Sequence, residues 1–363
     1  MRNTVGTILL IFIFIIVLVG SSTASANFIY FEGEEDWQKG ERDGLTFSIS
    51  HPDSLELKRE GGTYIEEGVY VSPTIETTHP FNRMVASWNV LTPGESYAVV
   101  EARVLVNGIW TDWHVMGMWG ENYDSRSISL SEWADDYGIR INIDIFEILQ
   151  EESQKYQLKA TLYREGDNSP VLQGLAGTAY HSDREYPEAE IPEGYLREID
   201  VPERSQMVED PDIAPRICSP VSLAMMLEKY GDDIPSDVVA EKAHDAGERI
   251  YGNWSFNVAY AGALGYRAYV DHYPGINDIK QQIAEGNPVI TSISYGEGEL
   301  DNAPTDSTAG HLVLVRGFEE RNGETYVIVN DPAAPDEDTV RRLYQIDQFE
   351  DAWVGIVYII EER

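Results

Sequence analysis

Cys218, His311 and Asp331 are the residues of this 363-residue chain whose types, order and settings together fit nucleophilic chemistry. Cys218 is the single cysteine and so has no intramolecular disulfide partner. In a chain that meets an oxidising medium, a lone thiol calls for another use. Two residues on stands Pro220, and proline suits the first turn of a helix, where its missing N–H is not needed. A thiol at a helix N-terminus sits at the positive end of the macrodipole beside unpaired backbone amides. Both favour the thiolate and lower its pKa below about 8.5. A thiolate can attack an amide carbonyl, and the same amides suit a developing oxyanion. By itself a lone cysteine reads more readily as a small buried hydrophobe, so the case rests on its partners.

The base is His311, which opens the apolar strand Gly310-His311-Leu312-Val313-Leu314-Val315. Asp331 follows Val327-Ile328-Val329-Asn330, and Asn322-Gly323 between the two segments marks a two-residue hairpin turn. His311 is 11 residues before Asn322 and Asp331 is 8 after Gly323, so both belong at one end of the hairpin. There Asp331 is placed to orient the imidazole. Alone, ahead of Pro332, it reads as a turn former.

The elements around these residues follow from cap and period signals. Helices are expected from Val221 to Tyr230, closed by Gly231, from Ser236 to about Asp245, from Asn257 to Leu264, closed by Gly265, and from Asn277 to Gly286. Strands are expected at Val289–Ser294, His311–Phe318, Tyr326–Asn330 and Gly355–Ile360. Helices first and an antiparallel sheet afterwards make an α+β domain, 201–363. Residues 27–184 alternate apolar and polar positions, as in Ala98-Val100-Ala102-Val104-Val106 before the turn Asn107-Gly108. That pattern predicts an all-β accessory domain, a sandwich or jelly roll. Six of the eight tryptophans lie here, Trp37, Trp88, Trp110, Trp113, Trp119 and Trp133. They read as sandwich core before they read as a sugar-stacking platform. The proline-bearing acidic stretch 185–200 is a linker.

With 63 Asp and Glu against 26 Lys and Arg, the net charge of −37 excludes nucleic acid and anionic lipid as partners. Such a charge suits solubility in a salty medium. Residues 1–26 read as a secretory signal, with Arg2, an apolar run from Ile8 to Val19 and the small-residue site Ala24-Ser25-Ala26. The expected product is secreted and extracellular, free of the membrane after signal removal. His114, His244 and His272 lack metal-ligand spacing and read as packing or surface residues. No metal or organic cofactor is expected.

The segment Arg216-Ile217-Cys218-Ser219-Pro220-Val221-Ser222-Leu223-Ala224-Met225-Met226-Leu227-Glu228-Lys229-Tyr230-Gly231 resembles the nucleophile helix of the bacteriocin-processing-type cysteine peptidases, family thirty-nine of the papain-like clan. Tyr251 to Asn257, Gly310 to Gly317 and Asn330-Asp331-Pro332-Ala333 fit the same relatives, in their stand-alone secreted bacterial form. The resemblance spans about Val201 to Ile360. It implies a papain-like fold, a Cys218, His311, Asp331 triad, and Gln206 as the oxyanion residue. The chain departs from the family's commoner Cys-Gly-Pro in having Cys218-Ser219-Pro220, and a long segment separates Gln206 from Cys218. Asn253, Trp254 and Asn257 are candidate cleft-lining residues, although Asn and Ser at a helix start also read as capping. The expected function is a secreted cysteine peptidase acting on a peptide or protein. The alternatives are an amidase or transglutaminase-like thiol enzyme acting on cell-wall or side-chain amides, or a non-catalytic polymer-binding protein. Contact with a polysaccharide or cell surface would run through the β domain.

Overall fold

Ala98, Val100, Ala102, Val104 and Val106 are all buried on one face of the strand Tyr97–Val106, while Tyr97, Val99, Glu101, Arg103 and Leu105 are half exposed on the other. This is the period of two expected for a sheet with one wet face. The strand turns through Asn107 and Gly108, both at positive φ (50° and 81°), as the sequence predicts. The computed structural model describes residues 27–129, 138–184 and 186–363. Residues 1–26, expected to be a signal, Trp133 and residue 185 of the expected linker lie outside the described residues. Among those described, the N-terminal half forms two antiparallel sheets of seven strands each. One is centred on Arg83–Leu91 and Val171–Tyr180, the other on Tyr97–Val106 and Ser153–Tyr163. Trp37, Trp88 and Trp119 are fully buried. Trp110 and Trp113 are half exposed, with the Arg103 guanidinium 4.8 and 4.5 Å from their ring centres.

Arg83–Leu91 and Val171–Tyr180 break the alternation, because nearly every residue in them is buried. Their second face is covered by the C-terminal domain. There the helix Trp254–Ala263 and the strand Arg267–His272 lie against Arg83–Leu91. Seven of the ten helix residues are apolar and nearly all are buried, as expected of a helix covered all round. Phe256 packs edge-on against Trp88 at 5.8 Å. A Cβ at Gly117 would lie 2.5 Å from Trp88 and 2.8 Å from Phe256, so this contact requires glycine.

The C-terminal domain is built on a six-stranded antiparallel sheet in the order 267–272, 353–361, 289–295, 308–321, 324–330, 341–345. Helices Cys218–Lys229, Ser236–Lys242, Trp254–Ala263 and Ile276–Glu285 occupy the expected places. Gly231, Gly265 and Gly286 follow the first, third and fourth of them with φ of 106°, 102° and 98°. The third helix begins three residues earlier than expected, because Asn253 caps it by accepting a hydrogen bond from Phe256 N at 3.1 Å. The strands Arg267–His272 and Arg341–Gln345 and the helix Ile346–Ala352 are additional to the sequence reading. Both strands lie at sheet edges: in Arg341–Gln345 half-exposed arginines blur the apolar pattern, and in Arg267–His272 the polar residues Arg267, Asp271 and His272 interrupt it. Among the described residues no helix is long and apolar enough to cross a membrane.

The hairpin of Thr308–Arg321 and Glu324–Asn330 turns through Asn322 and Gly323, again both at positive φ, with Arg321 opposite Glu324. If the ladder ran regularly from that turn, Asp331 would stand opposite Leu314, on the face that His311 does not share. A bulge between Val315 and Gly317 shifts the register by one residue, so Leu314 stands opposite Asn330. Asp331 then follows opposite Val313, on the His311 face, because a one-residue slip exchanges the faces. The extra residue, Arg316, is 5% exposed and donates to Ile199 O (3.0 Å), Glu203 (2.9 Å) and Asn330 (3.0 Å). Residues 197–199, the end of the expected linker, are part of this structure: Ile199 N donates to Arg316 O and Phe318 N to Arg197 O. A Cβ at Gly317 would lie 2.2 Å from Arg197 O, so only glycine admits the incoming chain.

Candidate active site

Cys218 is the first residue of its helix, and Ile217 at the N-cap offers no side-chain acceptor to the free amides. The backbone N–H groups of Ser219 and Leu312 point at the half-buried sulfur, and the His311 side chain hydrogen-bonds it. Burial alone would raise the thiol pKa. The hydrogen bond and charge of His311, with the two amides, outweigh burial and hold the thiol below its ordinary value. The helix is fixed behind the site by Ser222 Oγ, which donates to Leu312 O at 3.2 Å, and by the 2.9 Å contact of Ser219 Oγ with Tyr358 OH.

His311 is 6% exposed and Asp331 fully buried. His311 Nε2 lies 2.8 Å from Asp331 Oδ1, which leaves Nδ1 as the ring nitrogen available to Cys218. Burial disfavours the imidazolium, but the Asp331 charge and hydrogen bond, joined by Cys218, raise the histidine well above its usual value. Burial likewise pushes Asp331 up, and the charge and hydrogen bond of His311, the Tyr344 hydroxyl and Ala333 N–H bring it below the usual carboxylate range. The arrangement therefore favours three charges in a row: thiolate, imidazolium, carboxylate.

Gln206 is 4% exposed and braced on both sides. Its N–H donates to Pro332 O, just beyond Asp331, and its Nε2 donates to Ala214 O, just ahead of Cys218, both at 2.8 Å. Its Oε1 is buried without a protein partner. The long segment between Gln206 and Cys218 is thus folded into two short turns, Gln206–Val208 and Ala214–Arg216, that return the chain to the helix.

The three candidate cleft residues separate. Asn253 and Asn257 are fully buried, and their side chains serve the backbone: Asn257 Nδ2 donates to Tyr251 O (2.9 Å) and Asn253 O (2.7 Å). Asn253 Nδ2 donates to Asp245, itself buried and accepting from Ser127 N of the β domain. Trp254 is half buried, its N–H bound to Asp144 of the β domain at 2.5 Å. His272 is not a surface residue: its ring stacks on Tyr180 at 4.3 Å in the domain junction, and burial pushes it down to about 4. His114 packs edge-on against Phe146. Among the described residues no group of His, Cys, Asp and Glu is placed to hold a metal ion.

The sequence reading did not single out Tyr344, whose hydroxyl donates to Asp331 Oδ2 at 2.6 Å, or Arg316 at the bulge. Arg316 carried a legible signal, a charge followed by glycine inside an apolar strand. Tyr344 carried none, since a tyrosine in a strand is ordinary.

The chain is similar to known proteins in two parts. Residues 198–360 match the model of the Peptidase_C39 like family, and residues 27–179 match that of the Peptidase C39 N-terminal domain. No curated protein matches the chain. Among solved structures, a double glycine motif protease from an AMS/PCAT transporter, in complex with the leader peptide, is 22% identical (TM-score 0.32), covering 46% of this chain and 94% of that one. The peptidase domain of Streptococcus ComA is 16% identical (TM-score 0.31), covering 45% and 98%. A C39-like peptidase from Bacillus anthracis is 19% identical (TM-score 0.34), covering 46% and 100%. The C-terminal half is thus similar to the C39-like peptidase family and the half ahead of it to the C39 N-terminal domain, and the protein is a cysteine peptidase.

Proposed function

We propose that the protein is a secreted peptidase that hydrolyses peptide bonds through a Cys218, His311, Asp331 triad. The observation that carries this reading is the continuous hydrogen-bonded run from a helix-terminal thiol through an imidazole to a fully buried carboxylate. The Cys218 thiolate attacks the substrate carbonyl carbon, forming the C–S bond while the carbonyl electrons move onto oxygen. The Cys218 backbone N–H and the second N–H of Gln206 Nε2 receive that oxyanion. As it collapses, the C–N bond breaks and His311 gives its proton to the leaving amine. His311 then takes a proton from water, which attacks the thioester, releases the acid and regenerates the thiolate. Asp331 stabilises the imidazolium and holds the ring in place throughout. No step calls for a cofactor.

Export belongs to the same proposal and is supported by the signal-like residues 1–26. If the β domain meets a polysaccharide or cell surface, the half-exposed Trp110 and Trp113 are the indoles such a ligand would reach first. The test is the pH dependence of iodoacetamide alkylation of Cys218, beside a His311→Ala variant. It uses protein recovered from culture medium, whose N-terminus near Asn27 would mark signal removal. Alkylation should remain fast about two pH units below the ordinary thiol value and slow at least about tenfold in the variant. Equal, slow rates in both proteins would sink the triad.

A further inference from the structure

We propose that Tyr344 is a positioning residue of the catalytic centre: its hydroxyl fixes the outer oxygen of Asp331 and keeps the carboxylate anionic without neutralising it. The inference rests on the triad reading above and extends it by one residue. Asp331 is fully buried and has three donors. Oδ1 accepts from His311 Nε2 at 2.8 Å and from Ala333 N at 2.9 Å, and Oδ2 accepts from Tyr344 OH at 2.6 Å. Without Tyr344, one oxygen of a buried carboxylate would face the core with no partner, which favours the protonated acid. Protonated Asp331 would no longer stabilise the imidazolium, and the thiolate would lose its counter-ion in turn.

The chemistry of the partner matters as much as its presence. An arginine or lysine at Oδ2 would hold the carboxylate equally well, but its charge would compete with the imidazolium for the same anion. A phenol donates one short hydrogen bond and carries no charge. Tyr344 itself is fully buried, and burial together with the neighbouring Asp331 charge keeps its hydroxyl protonated, far above the ordinary tyrosine value. Its place is set independently of the triad. The strand Arg341–Gln345 pairs with Glu324–Asn330, with Tyr344 opposite Val327, and the Tyr344 ring lies 6.4 Å from Phe349. Asp331 N also donates to Val340 O at 2.8 Å, so the residue that carries the carboxylate is tied to the backbone immediately ahead of the strand that carries the phenol.

The test is the pH profile of iodoacetamide alkylation of Cys218 in the full chain, for wild type, Tyr344→Phe, Asp331→Asn and the double variant. Removing the hydroxyl raises Asp331, so the acid midpoint of alkylation in Tyr344→Phe should move up by about 0.5 to 1 pH unit, while the rate near pH 8 changes less than about twofold. In the Asp331→Asn background the same substitution should shift nothing further, because the group it acts through is gone. A merely structural tyrosine would lower thermal stability and leave the midpoint in place. If wild type labels fast and depends on His311 but Tyr344→Phe keeps its midpoint within about 0.2 unit, the Tyr344 assignment alone falls. If wild type labels like a free thiol, the triad and this assignment fall together. Should Tyr344→Phe fold too poorly to assay, 3-fluorotyrosine incorporated at position 344 keeps the shape and strengthens the donor. Its acid midpoint should then move down, and an unmoved midpoint would overturn the proposal.

Discussion

At the proposed catalytic centre, three titratable side chains meet at the mouth of one sheet, each shifting the others. At the seam between the domains, Asn89, Ser87 and Thr178 of the β domain meet an edge strand, and none of the three can carry a charge. Asn89 donates to Ala268 O (2.8 Å) and accepts from Ala268 N (3.1 Å), Ser87 Oγ accepts from Val270 N (2.9 Å), and Thr178 Oγ1 donates to Val270 O (2.7 Å). These side chains take the place of a neighbouring strand along the open edge of Arg267–His272. An unpaired edge is otherwise a template for association, and burying it unpaired would cost free energy. Both regions are polar and buried, but one concentrates charge, whereas along this edge the other matches neutral side-chain donors and acceptors to backbone. The first arrangement creates reactivity. The second creates permanence, and it makes the N-terminal domain part of the enzyme's structure.

The sharpest way to break this contrast is to remove the proposed nucleophile. Cys218→Ala should lower peptidase activity by at least about 10⁴-fold while leaving the thermal midpoint within about 2 °C, because a single thiol at a half-open site carries chemistry and little packing. Comparable residual activity in the variant would mean that the thiol is idle. The seam should behave in the reverse sense. Asn89→Leu leaves the buried N–H and C=O of Ala268 unpaired, and unfolding in urea should show a loss of about 2 to 4 kcal/mol. Alkylation of Cys218 at low temperature should stay near the wild-type rate. A seam variant that abolished alkylation while still folded would show the two regions to be coupled.

The smallest expected effect comes from a carboxyl in the seam. Asp271 is 3% exposed and accepts from His272 N at 2.7 Å. Burial pushes it up to about 8 from 3.8, with Asp278 adding to the rise and the His272 amide opposing it. The folded protein therefore holds a proton that the unfolded chain has lost, at any pH between those two values. Its contribution to stability is complete below the unfolded value and is lost as pH rises through the folded one. Asp271→Asn stays neutral at every pH, so thermal midpoints between about pH 6 and 9 should decline less steeply than in wild type. Identical slopes would remove Asp271 from the account.

The difference between the regions also explains what could be read early. Cys218, His311 and Asp331 were visible because each is rare or well marked: a single cysteine before proline, a histidine at the mouth of an apolar strand, an aspartate after its hairpin partner. The helix stops at Gly231, Gly265 and Gly286 were visible because positive φ selects glycine locally. The seam was not. Ser87 and Asn89 sit in a strand that reads as one face of a sandwich, and their role depends on an edge 183 and 179 residues further along the chain. Asn253 and Asn257 show the same limit from the other side, since an asparagine that caps a helix and one that lines a cleft look alike in a sequence.

What the sequence determined by itself was therefore local. It set Cys218 at a helix start, the two-residue turns at Asn107-Gly108 and Asn322-Gly323, and the change from strand period to mixed elements near the linker. These follow from backbone preferences and from which residue types can do chemistry. The tertiary structure decided whether His311 and Asp331 share a face, through the bulge at Arg316. It also decided that Tyr344 reaches the second carboxylate oxygen, and that the β domain closes the edge of the catalytic sheet. Each of these depends on register and on the approach of distant strands. A one-residue shift reverses every side chain of a strand, and no local preference records it.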